Sequence, residues 1–392
     1  MGRSRRFRQA LLLGVVAATA AGCGGGASAP PLRASASSPS ALRHAAGLGK
    51  ILSTKDGGQV FGFDVDRSGT DGVLATANDV EVFDQNAGVV LKTYPKKLPR
   101  GTSFGMDGIF AGDVALITRY VQPKGKIFAK RFYDVMNPVT AGTFTGAWKS
   151  PIADIDVLQA GVNQTTNTSA LFAIELKNQD RPDVVVTNVA ANSIGKVIHL
   201  DPGLFGGGNG PQFDQDTSAD KAVVALSPDG GRVGGAAPLN VLIDLKSGKQ
   251  TQFDGLNNGP FGSGYVNGLA VDSATGIAAT TTELNAQVEF YDLAKQTGTA
   301  VQLPCTGDAS QGSSGAGIAN DPVHGLFLVT EYFYCDGSQG SAIVVYDEKG
   351  NLVETIAGFK FAIAEPAPAL NPGTRTGWAF GPQFSQLQQF FY

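Results

Sequence analysis

The sequence predicts an all-β chain, and three observations lead there. Helical periodicity is absent over any long window, while short β-rich runs recur between Gly, Asp, Asn and Pro. These runs form a larger pattern: a strand, a turn, a strand ending in an aromatic or aliphatic residue plus Asp, then a Gly-containing turn. The closing aspartates are spaced by 50 residues from Asp84 to Asp134, 48 from Asp244 to Asp292 and 55 from Asp292 to Asp347, with 110 between Asp134 and Asp244. A period near 50 with several strands per period marks a single β-propeller of four-stranded blades. A β-sandwich would lack this longer period, and a β-helix would repeat at roughly half of it. Residues 49–392 accommodate about seven such blades.

In chain order, the first element is an export signal over residues 1–22. Arg3, Arg5, Arg6 and Arg8 precede the apolar stretch Ala10–Ala21, and Ala20-Ala21-Gly22 supplies small residues before Cys23. The apolar stretch is too short to span a bilayer, which takes roughly 20 residues. Ser4-Arg5-Arg6 with Phe7 weakly resembles a twin-arginine signal. Small residues followed directly by Cys resemble the lipobox of bacterial lipoproteins. That resemblance implies that Cys23 is acylated and becomes the mature N-terminus. More than one acyl chain on a single residue gives stable membrane anchoring. The alternative is ordinary cleavage with Cys23 incidental.

Residues 23–48 hold this Cys and then mainly Gly, Ser, Ala and Pro. Such a segment buries too little apolar surface to offset its ordering entropy and reads as a flexible tether. No second linker interrupts residues 49–392, so one domain is expected.

The blades follow. Asp71–Thr76 with Val80–Asp84 is the first clear copy, and a second ends at Phe132-Tyr133-Asp134. Ala222–Gly230 with Val241–Asp244, Gly268–Asp272 with Val288–Asp292, and Gly317–Pro322 with Ile343–Asp347 follow. Between 152 and 202 the copy is degenerate, with Ala170–Leu176 and Asp183–Leu200 reading as strands. The terminal run Leu387–Tyr392 aligns with the third strand of a blade. Its missing outer strand is expected from Gln59–Val65 or Lys50–Thr54, because such closure hides both sheet edges.

Ser227-Pro228-Asp229-Gly230 and Ile343-Val344-Val345-Tyr346-Asp347-Glu348-Lys349-Gly350 resemble the YVTN/NHL/SMP-30-like propellers. The resemblance is spread over residues 58–392 on short motifs. It implies the fold more than an activity, because one fold hosts unrelated functions.

Composition narrows the partners. A formal net charge of −4 argues against nucleic acid. An exported chain places Cys305 and Cys335 in an oxidising compartment, where they would form a disulfide, the alternative being two free thiols. No Gly-x-Ser-x-Gly elbow, Walker loop or His-Glu-x-x-His helix is present. His44 lies in the tether, His199 ends a strand and His324 sits in a turn, positions that suit surface residues better than catalysts.

Two candidate cation features stand out. Asp64, Asp66, Ser68 and Asp71 surround Gly69, an arrangement that resembles Asp-x-Asp-x-Ser-Gly calcium loops. Hard cations favour several such oxygens, although an acidic hairpin turn has the same composition. Asp214–Asp220 repeats the spacing without the Gly. Asn267, in Val266–Ala270, resembles the metal-holding Asn of SMP-30-like lactonases. Asn320 and Glu331 are further candidates that complete no motif, and a turn Asn is the alternative. Tyr332-Phe333-Tyr334 suits either a ligand-binding rim or a core strand.

The reading that follows is an exported lipoprotein of a bacterial cell envelope. A monomeric propeller would be lipid-anchored to the membrane and would bind a protein, peptide or glycan of the envelope. The only cofactor considered is Ca²⁺. The alternative is a metal-dependent hydrolase of the lactonase type, for which no catalytic residue is assigned.

Overall fold

The computed structural model describes residues 45–67, 69–76, 78–95, 108–110, 115–121, 130–136, 144–148, 155–163, 168–175, 181–188, 193–200, 212–216, 221–226, 239–254, 266–272, 275–282, 287–304, 314–335, 338–362 and 367–392. Their strands form seven four-stranded antiparallel sheets, the blades of one propeller. The first three blades comprise β2–β5 (Val60–Val65, Asp71–Thr76, Asp79–Asp84, Val89–Pro95), β6–β9 (Gly108–Phe110, Ala115–Val121, Lys130–Met136, Phe144–Trp148) and β10–β13 (Ile155–Asn163, Thr168–Glu175, Arg181–Asn188, Ser193–His199). Blades 4 to 6 comprise β14–β17 (Gln212–Asp216, Lys221–Leu226, Leu239–Asp244, Gln250–Asp254), β18–β21 (Val266–Asp272, Ile277–Thr282, Gln287–Asp292, Thr297–Gln302) and β22–β25 (Ser314–Asp321, Leu326–Cys335, Ser338–Asp347, Leu352–Phe359). Blade 7 joins β26–β28 (Ala369–Asn371, Thr376–Phe380, Gln386–Phe391) to β1 (Gly47–Ser53), in the order β1-β28-β27-β26.

That last sheet closes the ring. β1 pairs antiparallel with β28, Leu52 opposite Leu387 and Gly47 opposite Phe391. Of the two segments expected to supply the outer strand, Lys50–Thr54 overlaps β1, which starts at Gly47 within the expected tether. Residues 60–65 instead form β2, the innermost strand of blade 1. The innermost strands β2, β6, β10, β14, β18, β22 and β26 adjoin one another in turn, and β26 returns to β2. The degenerate region is blade 3, where Asp183–Leu200 divides into two strands, β12 and β13.

The repeated aspartates are turn-makers. Asp84 Oδ1 accepts the backbone N–H groups of Asn86 and Ala87 at 2.7 and 2.8 Å. Asp292 Oδ1 does the same for Ala294 and Lys295, and Asp347 Oδ1 for Lys349 and Asn351. Asp244 Oδ1 accepts both the N–H and the hydroxyl of Ser247. These bonds favour the ionised carboxylate and hold Asp244 and Asp292 below the usual range. Four residues after the Asp, the chain enters the left-handed region at Gly88, Gly248 and Gly276, with φ of 66°, 82° and 72°. Glycine accepts this without steric cost. Gln296 fills the same slot at φ 57°.

The core lies between blades. Residues of the second and third strands interdigitate with those of the neighbouring blade, and aromatic rings meet edge to face. Phe83 lies 5.3 Å from Trp378 across blades 1 and 7, and Phe290 lies 5.5 Å from Phe327 across blades 5 and 6. Small residues make room for these rings. A Cβ on Gly72 would lie 2.2 Å from Phe83, and one on Gly377 would lie 2.2 Å from Phe390. Among the described residues no helix is long and apolar enough to cross a membrane.

Candidate functional site

The two axial faces of the ring differ. One carries the connections between blades and the turns between second and third strands. The other carries the Asp-capped turns. On the first face, three carboxylates meet where blade 7 runs into blade 1. Asp56 lies in the connection from β1 to β2, and Asp79 and Glu81 lie on β4, where the two-residue period of a strand puts them on the same side. One carboxylate oxygen from each lies within 4.8 Å of the others. Asp56 is exposed, Asp79 half-buried and Glu81 fully buried.

Local bonds hold this arrangement. Thr76 Oγ1 accepts the N–H groups of Asn78 and Asp79 at 3.2 and 3.0 Å and shapes the β3–β4 turn. The Asn78 amide donates to Asp56 Oδ2 at 3.2 Å, and Gly58 N–H to Asp56 Oδ1 at 2.8 Å. Lys55 N–H donates to Glu81 Oε1 at 2.9 Å. Oε2 of Glu81 is buried and has no hydrogen-bond partner. Burial pushes the Glu81 carboxyl above its ordinary value, the Lys55 N–H partly offsets this, and Asp56 and Asp79 add to the rise.

The same register recurs elsewhere. Glu289 stands three residues before Asp292 in blade 5, as Glu81 stands before Asp84, and it lines a crevice with Asn240 and Tyr291 between blades 4 and 5. In blade 7 the position is Gln388, whose amide donates to the carbonyls of Gly49, Lys50 and Gln389. A neutral, fully bonded amide is the ordinary occupant of such a buried site. Blade 1 has a carboxylate there, beside two more.

The expected calcium loop lies on the opposite face, in the β2–β3 hairpin. Asp64 Oδ1 accepts the N–H of Val65, and Asp66 N–H donates to the carbonyl of Asp71 at 2.9 Å. Gln85 Nε2 donates to the carbonyls of Asp66 and Asp71 at 2.9 and 2.7 Å. Asn371 Nδ2 donates to Gly69 O at 3.0 Å, tying the hairpin to blade 7. Ser68 lies outside the described residues. Among those described, the carboxylates gathered closely enough to share an ion are Asp56, Asp79 and Glu81, not Asp64, Asp66 and Asp71.

The other candidates are dispersed. Asn267 is on β18, the innermost strand of blade 5. In blade 6, Asn320 pairs with Phe327 and Glu331 with Gly315. Four residues on β23 therefore separate their levels, about 13 Å at the rise of a strand. Both side chains are buried, and Asn320 has no hydrogen bond at either amide atom. Burial pushes the Glu331 carboxyl up to about 8. Tyr332 is half-buried and meets Phe361 edge to face at 6.3 Å, as a core strand requires. Cys23, Cys305 and His44 lie outside the described residues, and Cys335 is the last residue of β23. His199 Nδ1 sits 2.7 Å from Asp183 Oδ1 across paired strands, and His324 Nδ1 sits 2.7 Å from Asp321 Oδ2 within one turn.

A surface feature missed by the sequence reading lies on the outer rim. Leu48 and Ile51 of β1, Val89 and Leu91 of β5, and Leu352 and Val353 of β25 are each 41–53% exposed. β1 adjoins both β5 and β25, so these side chains form one apolar belt over blades 6, 7 and 1. Bulges shape it. Opposite Val82 and Phe83, β5 carries the additional residue Leu91, and opposite Val345 and Tyr346, β25 carries Val353. Bulged edges resist pairing with another strand. The outer strand of blade 5 instead exposes Thr297, Thr299 and Gln302.

No protein-family model and no curated protein sequence matches the chain. Solved structures do. Raptor of Chaetomium thermophilum superposes with a TM-score of 0.60 at 11% identity over 87% of this chain, which spans only 28% of that protein. A chain of a mitotic checkpoint complex superposes at 0.57 with 11% identity, covering 92% of this chain and 96% of the other. The WD40 repeats of RRP9 give 0.59 with 13% identity, covering 87% and 96%. At these identities the likeness is one of fold: the chain is a β-propeller with WD40-type structural neighbours.

Proposed function

We propose that this chain is an exported lipoprotein of a bacterial cell envelope whose propeller is a docking module for a protein partner. The observation that carries the reading is the apolar belt over blades 6, 7 and 1. Aliphatic side chains left about half exposed over three adjacent blades are a feature of interaction surfaces. They suit a protein face better than a glycan, whose hydroxyls need polar partners. Because the outer strands are bulged, the contact is through side chains rather than strand addition.

The belt also lies where the anchor would hold it. β1, its middle strand, begins 24 residues after Cys23. Acylation of Cys23 rests on the resemblance of residues 3–23 to lipoprotein signals, and the YVTN/NHL/SMP-30-like kinship rests on short motifs. The lactonase reading is less well supported, because the levels of Asn320 and Glu331 are about 13 Å apart.

The test is chemical cross-linking and capture with the full chain in native membranes, comparing it with a Leu91→Glu/Leu352→Glu variant of unchanged melting temperature. The expected result is one partner captured by the parent and lost in the variant. Equal capture by both would sink the docking role of the belt. Mass spectrometry of the mature N-terminal peptide tests the anchor separately, since an unacylated Cys23 removes the lipoprotein assignment.

A further inference from the structure

We infer that Asp56, Asp79 and Glu81 form a binding site for a hard divalent cation of the size of Ca²⁺, placed at the connection from β1 to β2. Two independent observations support the site. Three carboxylates bring oxygens within 4.8 Å of one another, a spacing one ion can bridge. In addition, Glu81 is fully buried, and its Oε2 has no hydrogen-bond partner although it belongs to that group. A buried carboxylate oxygen without a partner is costly and is normally matched by a proton, a cation or a donor.

Comparison between blades sharpens this. At the register of Glu81, blade 7 uses Gln388, whose amide donates three hydrogen bonds to backbone carbonyls. An amide would serve blade 1 equally well if the position needed only internal bonding. Blade 1 instead has an acid and flanks it with Asp79 on the same strand and Asp56 from the connection.

The chemistry selects the ion. The donors are all carboxylate oxygens, with no thiol or imidazole, which favours hard cations over Zn²⁺ or copper. Three formal negative charges exceed what a monovalent ion would balance. The exposed Asp56 leaves a path for hydrated ions, and water completes the six to eight oxygens that Ca²⁺ takes. Mg²⁺ would require tighter octahedral geometry than one buried and two loop-borne carboxylates provide.

The location gives the ion a structural task. Asp56 lies on the chain that leaves β1, the outer strand of blade 7. Asp79 and Glu81 lie on β4 in blade 1. An ion held by all three would clip the seam strand to its neighbouring blade.

The experiment is thermal unfolding of the full chain with Ca²⁺ alone as probe, against EDTA and against Mg²⁺ at matched ionic strength. Glu81→Gln and Asp66→Asn variants run in parallel. In the parent chain, Ca²⁺ at about a hundred times its dissociation constant should raise the melting temperature by about 4 °C. Glu81→Gln should abolish that rise while leaving the chain at least as stable as the parent in EDTA, because it removes a desolvated acid. The order of stability of the two chains thus reverses between EDTA and Ca²⁺. Absence of a Ca²⁺ response in the parent overturns the proposal. So does a response that survives Glu81→Gln, and one lost in Asp66→Asn but kept in Glu81→Gln would assign the ion to the β2–β3 hairpin.

Discussion

Tyr392, one residue beyond β28, donates its hydroxyl to Asp321 Oδ2 at 3.0 Å, joining blade 7 to the first turn of blade 6. Asp321 also accepts the N–H groups of Val323 and His324 and contacts the His324 ring. The carboxylate is wholly buried, so each partner matters. Burial and then the nearby Asp321 hold the Tyr392 phenol well above its ordinary value, so it remains a donor at any physiological pH. Tyr392→Phe should lower unfolding free energy by about 1–3 kcal/mol, read from urea midpoints at constant slope. A change within 0.3 kcal/mol would show that the hydroxyl contributes nothing net.

Glu331 makes the protein's stability depend on pH. Its ordinary value is 4.5, and burial raises it to about 8 in the fold. Between those values the folded chain binds a proton that the unfolded chain has released. This stabilisation is complete below about 4.5 and falls as pH rises to about 8, at about 1.4 kcal/mol per unit. The accumulated loss is on the order of a few kcal/mol. In Glu331→Gln that part of the slope should vanish between pH 5 and 8. Parallel stability profiles for the two chains would refute the buried-acid account.

Gln296 occupies a left-handed position that glycine fills in the matching turns. A side chain there costs on the order of 1 kcal/mol, part of which glycine returns as unfolded-state entropy. Gln296→Gly should therefore stabilise by about 0.5 kcal/mol. The reciprocal change, Gly276→Ala, places its Cβ in open space, so its cost of about 1 kcal/mol would come from backbone conformation alone. Differential scanning calorimetry of both variants checks the pair of signs.

Gly72 faces a different constraint, since the Phe83 ring occupies the volume a Cβ would need. Gly72→Ala should destabilise by about 1–3 kcal/mol through overpacking at the junction of blades 1 and 7. The double variant Gly72→Ala/Phe83→Leu should recover part of that loss. No recovery would show that the cost lies in the backbone instead.

The ring was readable from Asp84, Asp244, Asp292 and Asp347 because each caps a turn with its carboxylate, and that chemistry leaves a fixed residue at a fixed interval. The seam was half readable. Leu387–Tyr392 pointed to a missing strand, but Lys50–Thr54 and Gln59–Val65 are both β-rich, and only pairing with β28 separates outer from innermost. The acidic site went unseen because Asp56 and Glu81 belong to elements 25 residues apart in sequence. A signal did exist: Glu81 and Glu289 each precede a closing Asp by three residues, at a position whose neighbours are apolar. Asp64–Asp71 drew attention by composition, yet its loop is organised through backbone groups and Gln85. The belt left no trace, because Leu48 and Val89 look like core residues until the outermost strands are known.

The seam between β1 and β28 also governs when the molecule becomes complete. Its partners are more than 330 residues apart, so their pairing closes the longest loop in the chain and cannot precede delivery of residues 386–391. Six blades can assemble in order as the chain emerges, while the seventh waits with an unpaired edge. A shortened chain lacking those six residues would keep that edge open and stay vulnerable to proteases. Ring closure thus works as a check on full-length synthesis, performed by the last strand to arrive.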